Sequence, residues 1–172
     1  MPGLNPGKAY RLFYPQVPMI ICARHSGEVG AMAANSCIPL SDSPPLVGVA
    51  IKRSSRTDKI LTKSNVFSVN WIDYRDFELM EKVALPFNAR GDKLSKSGIR
   101  YRIERGAPII SRSRAHIICK LEKKIATGDH NFFLGRIVSA RASGDFRDYW
   151  QFKAYSPLLY LGSDKKKRYS TI

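Results

Sequence analysis

The chain has 172 residues, 44% of them apolar, and a formal net charge of +15 from 29 Lys plus Arg against 14 Asp plus Glu. That length supports one good core burying roughly 70% of the unfolded surface, so a single domain over residues 1–172 is expected. The longest apolar stretches, residues 19–23 and 46–51, are far too short for a membrane helix, and no charged-then-apolar leader is present, so a soluble cytoplasmic protein is expected.

Residues 17–24 and 30–37 flank the short turn His25-Ser26-Gly27-Glu28 and predict a β-hairpin whose second arm is poor in bulky side chains. Residues 39–45 carry three prolines and predict a loop. Residues 46–52 form a nearly continuous Val/Ile-rich run, the pattern of a central strand buried on both faces. A helix is predicted over 57–64 and a short strand over 66–71. Phe77, Met80, Val83 and Ala84 then recur at helical spacing within 74–85. Beyond Pro86 the chain is polar through Ser97, with Gly98 ending a short turn and an extended segment at 100–104.

From Ala115, the residues Ile117, Cys119 and Leu121 alternate with Ile118, Lys120 and Glu122, which predicts a strand with one buried face. The Thr127-Gly128-Asp129 turn leads into a second long strand over 131–140, making an antiparallel hairpin. Gly135 within it marks a bend or a close approach. The last ten or so residues, about 163–172, predict a partly ordered basic tail. The sum is a mainly β fold with short helices, better matched by a closed or split barrel than by a βαβ sheet.

Cys22, Cys37 and Cys119 are odd in number and widely spaced, and His25, His116 and His130 are equally scattered. Neither a disulfide framework nor a metal site is suggested. The positive field favours anionic partners of any kind. Its charges are spread along the chain, however, with one dense run at Lys165-Lys166-Lys167-Arg168. A solvated basic surface, with ion pairs of the kind heat-adapted proteins carry, accounts for this charge more simply than nucleic-acid binding does.

The segment Lys52-Arg53-Ser54-Ser55-Arg56-Thr57 lies between a strand and a helix, where backbone amides, hydroxyls and guanidinium groups converge. A phosphate suits such a site, because charge-assisted hydrogen bonds contribute on the order of 1.5 to 3 kcal/mol when shielded from water. Ser55 or Thr57 capping the helix beside solvated bases is the alternative, and both stay open. The small residues of 30–36 would let a flat ligand lie against the backbone, or would pack closely against another strand or subunit. His130, at the mouth of a hairpin, is placed to meet a ligand oxygen or act as acid or base. There is no nucleophile with a neighbouring base and no pair of carboxylates, so an enzyme with this sequence would draw its chemistry from a cofactor.

The order of several motifs resembles the flavin reductase-like family of FMN-binding split barrels over nearly the whole chain. The small-residue arm is followed by Ser43-Pro44-Pro45-Leu46-Val47, then Arg56-Thr57 with Ile60, then Phe67-Ser68-Val69-Asn70. Asp92-Lys93-Leu94 with Gly98-Ile99, Gly128-Asp129-His130 with residues 134–138, and Pro157-Leu158 through Leu161-Gly162 to Arg168-Tyr169 complete the series. The resemblance implies an antiparallel, Greek-key-like split β-barrel that commonly forms homodimers with FMN at the subunit interface. It puts the FMN phosphate on Ser54, Ser55, Arg56 and Thr57, with Lys52 beside them, and the flavin ring against Ala33, Ala34, Asn35 and Ser36. Cys37 would lie close to the flavin without an assigned role, and His130 near the ring or a nicotinamide.

The activity this implies is NAD(P)H-dependent flavin or ferric reduction, with free flavin, a ferric complex or a partner oxygenase as electron acceptor. Two rivals remain: an FMN-bound, flavoredoxin-like electron carrier without a nicotinamide site, and a basic nucleic-acid-binding barrel.

Overall fold

The computed structural model describes residues 2–87, 89–162 and 168–172. Seven strands form one antiparallel sheet: β1 (Met19–His25), β2 (Glu28–Ala34), β3 (Cys37–Asp42), β4 (Pro45–Lys52), β5 (Val66–Trp71), β8 (Ala115–Thr127) and β9 (His130–Ala142). Their spatial order is β2-β1-β5-β8-β9-β4-β3. Between β4 and β5 lies α1 (Arg56–Ser64), and between β5 and β8 lie α2 (Phe77–Ala84), α3 (Lys93–Lys96) and the hairpin of β6 (Tyr101–Glu104) with β7 (Ala107–Ile110). A two-stranded pair, β10 (Leu159–Tyr160) with β11 (Tyr169–Ser170), closes the chain. The architecture is the split barrel that the motif order implied.

Several expectations change. The predicted loop at 39–45 is largely strand β3, which pairs with β4 through a register shift between Pro39 and Ser41. Pro39 has no N–H to donate, and an edge strand tolerates that loss. The Val/Ile-rich strand β4 is second from the sheet edge rather than central. Its apolar run is explained by cover on both faces. Val47, Val49 and Ile51 enter the inner core, while Gly48 on the other face lies directly under the Phe132 and Leu40 side chains.

The expected inner face of β8 holds, with Ile117 and Leu121 packed on the barrel core beside Cys119, but the opposite face is covered too. Cys119 belongs to the inner core, but Ile118 is also fully buried, against Ala107 and Ile109 beneath the β6–β7 hairpin. The β8–β9 register shifts between Ile118, which pairs with Ser139, and Cys119, which pairs with Ile137. Helix α2 begins three residues later than its apolar spacing suggests, after a 3-10 turn at Tyr74–Asp76. The basic tail returns to the body at Tyr169, which is buried in β11, and Lys165, Lys166 and Lys167 lie outside the described residues. A 3-10 segment at Pro6–Phe13, with no buried side chain, precedes β1.

Two apolar clusters form on opposite faces of the β1–β2 hairpin. Ile21, Ala23 and Ala34 join the barrel interior with Phe67, Val69, Phe133 and the helix residues Ile60 and Leu61. Ile20, Cys22 and Ala31 face outward under Met80 and Val83 of α2 and Leu94 of α3. Strand β2 is therefore covered on both faces, and α2 and α3 reach the same strand against which α1 packs.

Gly135 sits at a tight point of the barrel interior. A Cβ there would stand 2.5 Å from Phe67 Cζ and 3.0 Å from Cys119 Cβ, and both side chains are fully buried. Gly135→Ala is expected to lower stability by about 1 to 3 kcal/mol through overpacking, read as a fall of several degrees in Tm.

Asp73, after β5, is fully buried and ties three segments together. It accepts hydrogen bonds from Arg75 Nε (2.9 Å), Arg114 Nε (3.2 Å) and the Ser156 amide (3.4 Å). The Arg75 guanidinium, with these other donors, holds the carboxyl well below its ordinary value of 3.8. Because the folded-state pKa is depressed, the stabilisation is complete above that ordinary value and is lost as pH falls through the folded one. Asp73→Asn should therefore be less stable than the parent by about 2 kcal/mol at neutral pH. The gap in urea midpoint should close progressively as pH is lowered below about 4.

Candidate functional site

The segment between β4 and α1 is held from two directions. Ser55 N donates to Lys52 O at 2.9 Å, closing a tight turn, while Arg53 N donates to Asp129 O and Arg53 Nε to His130 O, each at 3.1 Å. Arg53 thus clamps the turn to the tip of the β8–β9 hairpin. Ser55 is the N-cap of α1, its Oγ accepting from Asp58 N at 3.1 Å. The capping role is real, yet the Ser55 hydroxyl keeps its own hydrogen to donate. The amides of Arg56 and Thr57, in the first turn, have no intrahelical acceptors.

The helix is anchored by a buried carboxylate. Asp58, 5% exposed, accepts from Asn131 Nδ2 at 2.6 Å and Lys124 Nζ at 3.3 Å, tying the first turn of α1 to both strands of the long hairpin. On its other side the helix meets β2. A Cβ on Gly30 would stand 3.2 Å from Thr57 Cα and 3.1 Å from Ile60 Cδ1. The small residue lets strand and helix approach this closely.

That approach creates a cavity of about 430 Å³. One wall is residues 30–33 of β2, a second is Lys52 with residues 54–57, and a third is residues 83–87 with Lys93. The volume lies within the range of small-molecule sites. Met32, Ala33, Val83, Pro86 and Phe87 supply apolar surface, whereas the charged side chains on the wall are Lys52, Arg56 and Lys93, with no carboxylate among the described residues.

Arg56 is held in place at its outer nitrogens. Nη2 donates to Glu28 Oε1 at 2.7 Å, Nη1 donates to the Ala89 carbonyl, and the guanidinium lies 5.7 Å from the centre of the Phe87 ring. Its Nε is buried and has no hydrogen-bond partner among the described residues. Lys93 donates from Nζ to Val83 O (2.6 Å) and Leu85 O (2.9 Å), capping the end of α2. Burial lowers its pKa, and an ammonium group with two donors engaged has a third remaining.

Of the residues singled out from the sequence, Ala33, Lys52, Ser54, Ser55, Arg56 and Thr57 come together on this cavity. Gly30, Ala31 and Met32 of the small-residue arm line it as well, but residues 34–37 do not. Ala34 and Cys37 point into the barrel core, where burial pushes the Cys37 thiol up to about 12. Asn35 hydrogen-bonds the Tyr14 side chain, and Ser36 Oγ donates to Ala50 O at 2.9 Å. His130 pairs with Lys52 across β4 and β9, and its Nδ1 lies 2.6 Å from Asp129 Oδ1, beside the cavity but not on its wall. His130 in turn holds the Asp129 carboxyl below its ordinary range.

Lys93 and Phe87 are wall residues that sequence reasoning did not select. Lys93 stood within the Asp92-Lys93-Leu94 motif, the one signal pointing to it, whereas Phe87 lay in a stretch without periodicity. The Arg56 partner Glu28 reads from sequence as an ordinary turn residue.

Comparison with known proteins gives the family. The model of the flavin reductase like domain matches residues 10–167, and the chain belongs to that family. An uncharacterized protein of Aeropyrum pernix is 34% identical over 169 residues, covering 91% of this chain and 61% of that protein. The chain thus spans about three fifths of that relative's length. The NADH-dependent flavin reductase StyB of Pseudomonas fluorescens is 25% identical, over 91% of this chain and 84% of that one. Among solved structures, the FMN-binding protein of Thermus thermophilus superposes with a TM-score of 0.81 at 25% identity, over 99% of this chain and 93% of that one. Among the described residues, no helix is long and apolar enough to cross a membrane.

Asp58 is the residue on which the position of the turn rests. Asp58→Ala would leave the Asn131 amide and the Lys124 ammonium without their shared acceptor. It should lower stability by about 2 kcal/mol, measured as a reduced urea midpoint with unchanged m-value.

Proposed function

We propose that the protein is an FMN-binding, NAD(P)H-dependent flavin or ferric reductase, acting as a homodimer. The observation that carries this reading is the single cavity in which the Lys52–Thr57 turn and the small-residue strand β2 meet. The donor set fits a phosphate: first-turn amides, the Ser54 and Ser55 hydroxyls, Lys52, and the buried Arg56 Nε that lacks an acceptor among the described residues. Apolar walls from β2 and residues 83–87 fit a planar ring system.

When bound, FMN would supply the redox chemistry, accepting hydride from a nicotinamide nucleotide and passing electrons to free flavin, a ferric complex or an oxygenase. The chain's own residues bind and orient. Lys52, Ser54, Ser55, Arg56 and Thr57 hold the phosphate, and Met32 and Ala33 of strand β2 give the ring one wall. Glu28 and Phe87 hold the Arg56 guanidinium against the phosphate side, so that little side-chain entropy is lost on binding. Lys93 contributes positive charge at the far wall, which favours an anionic reduced cofactor. His130, with Nδ1 engaged by Asp129, has Nε2 available for the ring or the nicotinamide.

Arg56→Ala combined with Thr57→Ala is expected to weaken FMN binding at least about tenfold while the far-UV CD spectrum is retained. Undiminished flavin affinity in that variant would sink the assignment of the turn. Anaerobic rapid mixing of the FMN-loaded protein with NADPH and with NADH should bleach the flavin absorbance. An oxidised spectrum that neither nucleotide changes, in protein that still exchanges electrons with a redox partner, would replace the reductase by a flavoredoxin-like carrier. Purified protein that takes up no flavin and binds DNA with steep salt dependence would support the nucleic-acid reading instead.

A further inference from the structure

Residues Pro6–Phe13 form an element that the core does not use, a 3-10 helix of eight residues in which no side chain is buried. Asn5 caps it, with Oδ1 accepting from Gly7 N at 2.8 Å, and Pro6 pre-sets the first turn. The body holds it from its C-terminal end. Tyr14 packs edge-on to Tyr160 at 5.1 Å between ring centres, and Gln16 and Tyr160 exchange backbone hydrogen bonds of 3.3 and 2.8 Å. A helix this short is not sustained by propensity alone, and helices in proteins draw most of their stability from packing an amphipathic face.

The side chains of this arm are sorted. Residues three apart eclipse in a 3-10 helix, so Lys8 and Arg11 share one stripe, Ala9 and Leu12 a second, and Tyr10 and Phe13 a third. Two of the stripes are apolar, and they face solvent: Leu12 is 71% and Phe13 72% exposed, beside Leu4 at 60% and Tyr10 at 54%. The remaining stripe is basic, with the Arg11 guanidinium 5.9 Å from the centre of the Tyr10 ring. No Asp or Glu occurs in the sequence before Glu28, so no nearby acid in the chain offsets that charge. Apolar and aromatic side chains on one side of a helix and bases on the other are the pattern of an element that lies in a lipid–water interface.

We infer that residues 4–13 are a membrane-surface anchor, whose apolar stripes enter the headgroup region of an anionic bilayer while Lys8 and Arg11 meet the lipid phosphates. Charge decides between the occupants that could cover the arm. A second copy of the chain would bring another +15, with its own Lys8 and Arg11, against a basic stripe. An anionic lipid surface offers apolar depth and opposite charge together. The Tyr10 ring, apolar in body and polar at its tip, suits the headgroup level. Attachment of this kind involves one leaflet and asks for no spanning helix, of which there is none among the described residues. A single short anchor gives reversible binding, so the protein exchanges between surface and solution. The inference is independent of the flavin reading and adds a place of action to it.

The test is co-sedimentation of the full chain with phosphatidylcholine vesicles, with and without phosphatidylserine. The parent should bind the anionic vesicles, bind the neutral ones more weakly, and lose affinity for the former as salt rises. A chain of this charge adsorbs to anionic lipid by more than one face, so the deciding variant is Leu12→Ser with Phe13→Ser, which keeps every charge. Its partition onto anionic vesicles should fall about tenfold or more, with Tm unchanged because neither side chain is buried. Lys8→Gln with Arg11→Gln should weaken binding to the anionic vesicles at least about fivefold and leave neutral vesicles unaffected. In Phe13→Trp, an emission component absent from the parent should shift to the blue on anionic vesicles and be quenched by brominated acyl chains. The proposal is overturned if the Leu12 and Phe13 variant binds as the parent does, if brominated lipid leaves the added emission unquenched, or if the parent binds neither vesicle. A lower mass for that variant than for the parent, by sedimentation equilibrium without lipid, would overturn it in favour of a second copy covering the arm.

Discussion

The seating of α1 is the constraint on which the site depends. A carboxylate that is 5% exposed in the first turn of a helix is costly unless its oxygens are satisfied. Asp58 meets that condition through Asn131 on β9 and Lys124 on β8. Gly30 meets the helix from the opposite side, at a distance that a Cβ would fill. Polar pairing on one flank and close apolar contact on the other leave the helix little freedom to slide. The turn before it, with its amides and basic side chains, is therefore presented in one place.

The net charge of +15 looks uniform along the chain and is not uniform in role. Arg53 is committed to the hairpin tip, Arg75 and Arg114 to Asp73, and Lys124 to Asp58. These cations hold the fold. Lys52, Lys59, Lys63 and Arg90 are exposed around two adjoining cavities, where little negative charge offsets them. Arg56 belongs to both groups, because its outer nitrogens anchor it while its buried Nε has no acceptor among the described residues.

Strand β2 is where barrel and site meet. Its residues alternate between the inner cluster and the one beneath α2 and α3, and small side chains serve both contacts. With a larger residue at Gly30 the helix would be displaced. Larger residues at Ala31 or Ala33 would displace α2, whose end forms the third wall together with its capping lysine, Lys93. The poverty of bulky side chains in this strand follows from packing on both faces, and the same feature leaves space for a ligand.

Local chemistry was legible in the sequence where it depended on neighbours in the chain. The hairpins, the bounds of β5, the N-cap at Ser55, the convergence of donors at residues 52–57 and the close approach at Gly135 all follow from short-range patterns. Motif order carried the split-barrel fold, since so many separate segments coincide in sequence with the flavin reductase-like family. Other features were decided by contacts between distant segments. Edge position made Pro39 acceptable in a strand, cover by the β6–β7 hairpin buried the second face of β8 at Ile118, and register placed β4 beside β3 rather than at the centre. Tertiary packing also divided the small-residue arm, turning Ala34 and Cys37 into the core while Ala33 faces the cavity, and brought Lys93 and Phe87 to the wall from distant parts of the sequence. Periodicity reports which residue faces lie together on one element, whereas a cavity wall is built from several elements, and only the folded chain brings them to the same place.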